Sequence, residues 1–310
     1  MIELTKSGDW LMGTVGVDAA EMQIGILLRE KWRLPKKTVH LLFQQKEVCL
    51  DGQPVPQHAK TRAGQEIRML LCPPEPYGVD PVLEPLDLLY EDDHLLIVNK
   101  PAGLAIHPTE KGHRRTLDHL VAGHFQQTGL QAMVRHVHRL DQETSGAVLY
   151  AKHPLASALL DERLRLREIK RSYIAYVHGR MEKEHGKIDA PIGKDRHHPA
   201  RRRISPGGDQ AITHYRVVKR YSQATKVECQ LDTGRTHQIR VHLSHLGHPL
   251  IGDTLYGGKT TGIARQALHA ASLRLIHPFG EKLIEASCPF PADMLQLESS
   301  LESDSIHTRS

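Results

Sequence analysis

Cysteine is scarce in this sequence and offers no pairing pattern. The four present, Cys49, Cys72, Cys229 and Cys288, form neither a C-x-x-C pair nor a disulfide-like framework, which argues against zinc and for a reducing compartment. No apolar run approaches the roughly 18 residues that a membrane span requires, and no signal-peptide pattern opens the chain. A cytosolic protein is therefore expected. No internal repeat is visible, which sets aside solenoid arrays.

What is present fits a folded domain. The 310 residues are 39% hydrophobic and 25% charged, enough apolar surface to offset the entropy of ordering the chain. The length suits one large domain with a small appendage, since single cores rarely outgrow about 250 to 300 residues. Lys and Arg outnumber Asp and Glu by 41 to 36, a net charge of +5. A mildly positive field attracts polyanions, although the tilt is too small to identify a partner. The 22 histidines invite a metal reading. His237, His242, His245 and His248 fall on different faces of one helix or past its end, with no cysteine or carboxylate pair to complete a ligand set.

Residues 1–72 read as a small amino-terminal unit: a helix from about Ala19 to Arg33, a second launched by Pro35, a strand near Val48, a turn at Asp51-Gly52 and a strand from Ile67 to Leu71. Pro73, Pro74, Pro76, Pro81 and Pro85 resist helix and sheet interior, so residues 73–85 read as a linker. From 86 to 292 the chain is strand-rich, with strands at Leu86–Tyr90, Leu95–Val98, Ala147–Ala151, Tyr173–Val177, Ile212–Tyr221 and Val227–Leu231. Pro154 opens a helix to about Arg167. Thr236 is expected to cap another helix, with Ile239, Leu243 and Leu246 on its apolar stripe before Gly247 stops it. Strand and helix do not alternate, so the expected class is α+β, a mixed and largely antiparallel sheet flanked by helices beside a small α/β unit. Residues 293–310 are expected to be a tail, frayed from Ser299 onward.

Two polar clusters could carry chemistry. His136-Val137-His138-Arg139-Leu140-Asp141-Gln142-Glu143-Thr144-Ser145-Gly146 lies between apolar stretches and ends in a Ser-Gly turn before a strand. Such a loop presents a carboxylate at a sheet edge, while Thr144 and Ser145 can bond the loop's own amides. A plain structural turn explains that spacing equally well. In Asp232-Thr233-Gly234-Arg235-Thr236-His237-Gln238-Ile239-Arg240-Val241-His242, Arg235 falls just before a helix start. Ordinary capping beside an exposed Arg competes with a guanidinium fixed between strand and helix.

Together these runs resemble the RluA-type pseudouridine synthases. His138-Arg139-Leu140-Asp141 followed by Thr144-Ser145-Gly146 is similar to the family's signature. LLYEDDHLLIVNKPAG, Leu88 to Gly103, resembles its opening strands and Asn-Lys-Pro-x-Gly turn. Arg171-Ser172-Tyr173-Ile174-Ala175 resembles its basic-x-Tyr-x-Ala strand, and Thr233 to His242 its Thr-Gly-Arg-Thr-His-Gln-x-Arg-x-His run. Gln142 and Arg171 depart from the commoner basic residue and Lys. The amino-terminal unit resembles the ribosomal-protein-S-four-like RNA-binding domain.

The resemblance implies an isomerase acting on uridines in structured RNA, ribosomal or transfer RNA, with ribosomal RNA favoured. It breaks the bond from ribose to ring nitrogen and rejoins the uracil through carbon. No redox change occurs, so neither nicotinamide nor metal is needed and no cofactor is expected. Asp141 is implied as the catalytic carboxylate, Tyr173 as a face for the uracil and Arg235 as the partner of Asp141. The Asp could attack the sugar, attack the base or remove a sugar proton. The target base must be everted, and the resemblance suggests Arg139 for the vacated space or the flanking backbone. The basic run Lys194, Arg196, Arg201, Arg202 and Arg203 suits a mobile loop on phosphates; a solvated surface loop or, for Arg139, a salt bridge is the plainer reading. An RNA binder that keeps the fold without the activity is the alternative class. A hydrolase comes third, because the further carboxylates of metal-assisted cleavage are missing.

Overall fold

The computed structural model describes residues 4–71, 74–110, 112–280 and 282–307; Cys72, Pro73 and the last three residues of the expected tail lie outside the described residues. The amino-terminal unit runs β1 (Leu4–Ser7), β2 (Trp10–Thr14), α1 (Ile24–Glu30), α2 (Lys36–Gln44), β3 (Val48–Leu50), β4 (Gln53–Pro54) and β5 (Glu66–Leu70). Its antiparallel sheet has the order β1-β2-β5-β3-β4. The β1–β2 hairpin is absent from the sequence reading because its described β1 residues are exposed and polar, leaving no alternation to detect. Helix α1 is shorter than Ala19–Arg33. Backbone bonds from Glu21 N to Thr61 O (2.8 Å) and Thr61 N to Met22 O (2.9 Å) draw the preceding residues into extended pairing, and Arg33 at φ 56° ends the turn.

The larger unit continues as β6 (Leu88–Glu91), β7 (Leu95–Lys100), α3 (Leu117–Gln127), β8 (Arg135–His136), β9 (Ser145–Ala151), α4 (Pro154–Arg165), β10 (Lys170–His178), β11 (His185–Asp189), β12 (Ile192–Lys194), β13 (Arg202–Ile204), β14 (Ile212–Arg220), β15 (Ala224–Leu231), α5 (Gln238–His245), β16 (Leu268–Ile276), β17 (Leu283–Ser287) and α6 (Ala292–His307). Ten strands form one sheet along the path β11-β14-β15-β10-β16-β9-β7-β6, with β17 on β16 and β8 on β9. All its pairings are antiparallel except β9 with β16. Both faces are covered. Leu96 and Val98 of β7 join a core with Leu120, Phe125, Ile239 and Leu243 of α3 and α5. Leu95 and Ile97 pack instead with Ala156 and Leu160 of α4. A strand buried on both sides needs apolar residues at every position, which is why β7 reads Leu-Leu-Ile-Val without alternation.

The proline-rich segment is not a free tether. Arg135 holds Glu75 through two bonds of 2.7 and 2.6 Å, Val82 N donates to His119 O, and Tyr77, Val82 and Leu86 pack against the main core. The expected frayed tail is the helix α6. Met294 and Leu297 are buried with Tyr176 and Tyr221, and Glu298 accepts from Tyr221 (2.9 Å) and Lys226 (2.7 Å). An apolar stripe of two or three residues, diluted by Ser and Glu, is enough once a tertiary surface receives it.

One glycine decides how the parallel seam closes. Gly146 sits at φ 118°, and a Cβ there would meet Ala270 O at 2.3 Å. Gly146→Ala is expected to lower stability by about 3 kcal/mol or more through backbone strain and overpacking. Calorimetry checks this, and an unchanged melting temperature would refute it.

Candidate active site

The loop from His136 to Ser145 is fixed by buried cations that solvate its backbone. Lys100, fully buried, donates to Pro101 O (2.8 Å), Leu104 O (2.7 Å) and Gln142 O (2.8 Å). Burial pushes this ammonium down to about 7, while the Glu143 and Asp141 charges work the other way. From the far side Arg265 donates to Glu143 O at 3.0 Å and is itself held by Asp293. Thr144 N returns to Asp141 O (3.0 Å). With its neighbours' carbonyls clamped, Asp141 has little backbone freedom.

Its carboxylate meets a guanidinium, but not the expected one. Arg240 Nη1 lies 3.1 Å from Asp141 Oδ2, whereas Arg235 turns away to Gln210 O (3.1 Å) and to Asp209 (3.9 Å). The reason lies at the helix entrance. Thr236 does not cap α5; His237 occupies the cap position in the left-handed region at φ 59°, and Thr236 Oγ1 accepts from Arg139 Nη2 at 3.0 Å. That turn aims Arg240, in the first turn of α5, back at the loop. Asp253 then grips Arg240 bidentately at 2.7 and 2.9 Å, and the guanidinium lies over the Tyr256 ring at 5.0 Å. Burial opposes the Arg240 charge, yet the Asp253 hydrogen bonds and the two carboxylates hold it above the ordinary guanidinium range. His237, bonded to the Tyr256 hydroxyl at 2.8 Å, comes within 3.9 Å of Asp141; its pKa is lowered, by burial first.

Asp141, Tyr173, Arg235, Arg139 and Arg240 all line one cavity of about 600 Å³. Tyr173 is buried on the central strand β10, and burial raises its phenol, with the Asp141 charge adding and the Arg171 charge opposing. A second cavity alongside is lined by Arg139, Lys194, Arg202 and Arg235. The basic run does not form a loop throughout. Arg202 and Arg203 belong to β13, paired with β12 in register Ile192↔Ile204, because Ile192 packs with Val241 and Tyr256. Arg201 lies over Tyr256 at 5.6 Å and 3.9 Å from Asp195. Arg240, Asp253, His237, Tyr256 and Lys100 were not singled out as site residues from the sequence. Arg240 and His237 stand inside the run that drew notice to Arg235, but nothing in a linear run shows which guanidinium faces inward. Among the described residues no group of three or more His, Cys, Asp or Glu could hold a metal, and no helix is long and apolar enough to cross a membrane.

A family model described as RNA pseudouridylate synthase matches residues 94–245, and one for the RluD ribosomal pseudouridine synthase N-terminal domain matches 14–67. YhcT of Bacillus subtilis (strain 168), described as an uncharacterized RNA pseudouridine synthase, is 45% identical over 96% of this chain and 95% of its own length. The chain belongs to the RNA pseudouridylate synthase family. The ribosomal large subunit pseudouridine synthase D of Xanthomonas campestris is 38% identical over 84% of this synthase and 82% of its own length. Among solved structures, human RNA pseudouridylate synthase domain containing 1 superposes with a TM-score of 0.56 at 26% identity, covering 72% of this synthase and 96% of that chain. The synthase is thus an isomerase that converts uridine in RNA to pseudouridine.

His138, next to Arg139 in the loop, gives the site a pH signature. Its Nε2 accepts from Leu149 N at 3.3 Å, and burial, reinforced by the Arg171 charge, pushes its pKa from 6.5 to about 3. The folded state therefore binds this proton less readily than the unfolded chain. The contribution is fully present above about pH 6.5 and drains as pH falls toward 3, at up to about 1.4 kcal/mol per pH unit. Urea midpoints of His138→Gln should fall less steeply than wild type between about pH 6.5 and 4.5; parallel slopes would refute this.

Proposed function

We propose that Asp141 is the carboxylate that acts on the target uridine, that Tyr173 offers the flat face against which the everted uracil rests, and that Arg240 in place of Arg235 holds Asp141. The observation that carries this reading is the approach of Arg240 to Asp141 at 3.1 Å on the wall of a cavity that Tyr173 shares. A guanidinium fixed by Asp253 favours the charged form of the group it faces, and a charged carboxylate can serve as nucleophile or base. Carbonyl clamps on both sides hold the reacting group in place, so no reorganisation is needed when substrate arrives.

Ribosomal RNA is the favoured substrate, in the cytoplasm, supported by the relatives named for the large ribosomal subunit and by the match to the RluD amino-terminal domain. Of the described residues, those within 1–72 form the accessory unit, those within 73–85 a connector laid along α3, those within 86–292 the catalytic unit, and α6 braces it. Arg139, Arg202 and Lys194 line the second cavity beside the site, and together with Arg201 and Arg203 they meet phosphates. The test is to delete the gene, map pseudouridines across ribosomal and transfer RNA, and restore it with wild type or Asp141→Asn. One site that vanishes and returns only with Asp141 intact is the expected result; an unchanged map would refute the reading.

A further inference from the structure

Arg171 is the one buried arginine of this cavity that has no polar side-chain partner among the described residues; Arg139, also without a carboxylate, is exposed and donates to Thr236. Arg240 is paired with Asp253 and Asp141, Arg167 with Asp232 at 2.9 Å, Arg165 with Glu162 at 2.5 Å, and Arg235 with Asp209 at 3.9 Å. Arg171 is 7% exposed and lines the same cavity. Its Nε is buried without a hydrogen-bond partner, and no carboxylate lies within ion-pair distance among the described residues. It precedes Tyr173 by two positions on β10, so both side chains leave the same face of the strand. Both are buried there. The floor opposite is a glycine. A Cβ on Gly234 would come 3.1 Å from Arg171 Nη1, so the bare backbone leaves the guanidinium its room.

A desolvated cation without a counter-ion is unfavourable in the free protein and is retained where an anion arrives to meet it. Uracil, neutral at physiological pH, would leave the charge uncompensated. The permanent anions of RNA are its phosphates, and a guanidinium donates to two phosphate oxygens at once. We propose that Arg171 is the ligand of a backbone phosphate flanking the everted uridine, so that the nucleotide is held at Tyr173 through its base and at Arg171 through its backbone. This rests on the reading of the cavity as the uridine site.

The test uses full-length protein and ribosomal RNA extracted from a strain lacking the gene, with binding measured over a salt series. Arg171→Met should weaken binding at least about tenfold and reduce the slope of log affinity against log salt by about one, as when one phosphate fewer is neutralised. Arg171→Lys should keep the slope while losing several-fold in affinity. Ligand-free Arg171→Met should melt no lower than wild type, because it removes an unpaired buried charge. An unchanged slope in Arg171→Met overturns the proposal, as does a lowered melting temperature, which would make the guanidinium structural. Should Arg171→Met fail to fold, Arg171→Gln carries the slope comparison with the same criterion. Absence of pseudouridine formation by wild type on this RNA would sink the reading of ribosomal RNA as substrate instead, since the slope requires binding alone.

Discussion

Asp141→Asn will reduce pseudouridine formation by at least about 10³-fold while leaving RNA affinity within a few-fold of wild type. Asn keeps the size of the side chain and an oxygen for Arg240, but removes the negative charge that can attack or take a proton. The carbonyls of Gln142 and Glu143 remain held by Lys100 and Arg265, so the loop should keep its shape. The neutralised triple variant of Arg201, Arg202 and Arg203 should behave in the opposite way. It will bind RNA more weakly, with a salt slope reduced by about one for each phosphate that no longer meets a cation. Single-turnover rates and equilibrium binding on the same RNA separate the two. Parallel loss of affinity in Asp141→Asn would assign that side chain to structure.

The second large effect distinguishes two arginines five positions apart. Arg240→Gln strands Asp253, whose side chain is 1% exposed, and a buried carboxylate left without its partner costs about 3–5 kcal/mol. Activity should fall by about 10²-fold or more, since Asp141 loses the group that orients it. Arg235→Gln, on an exposed residue bound to Gln210 O, should change stability by less than about 0.5 kcal/mol and the chemical step by less than about tenfold. Adding Asp253→Asn to Arg240→Gln should recover stability without recovering activity. Urea denaturation and single-turnover kinetics give both readouts. Equal effects at 235 and 240 would sink the assignment.

The sequence carried the architecture further than it carried the side-chain pairings. The apolar run Leu95–Val98 and Tyr173 in a strand could be read because each reports a local demand, burial on both faces and a flat side chain in a sheet, whereas Ser145 and Gly146, expected as a turn, open β9 itself, because the parallel pairing with β16 draws them into the sheet. Arg240 could not be distinguished from Arg235, because the choice depends on His237 adopting φ 59°, a conformation non-glycine residues seldom take. Asp253, well beyond the recognised run, carries no local signal at all. The docked α6 was hidden for a related reason: Met294 and Leu297 become a stripe only once Tyr176 and Tyr221 supply the surface.

The two clamps on the Asp141 loop come from opposite sides of it along the polypeptide. Lys100 precedes the loop, whereas Arg265 follows it by more than a hundred residues and depends on Asp293, later still in the chain. During translation Asp141 is therefore synthesised long before the second clamp on its loop leaves the ribosome. A nascent chain stalled short of residue 265 can form the amino-terminal sheet, whose strands are close in sequence, while the catalytic pocket stays unfinished. The pocket around Asp141 is thus completed only once the segment that carries Arg265 and Asp293 has been made.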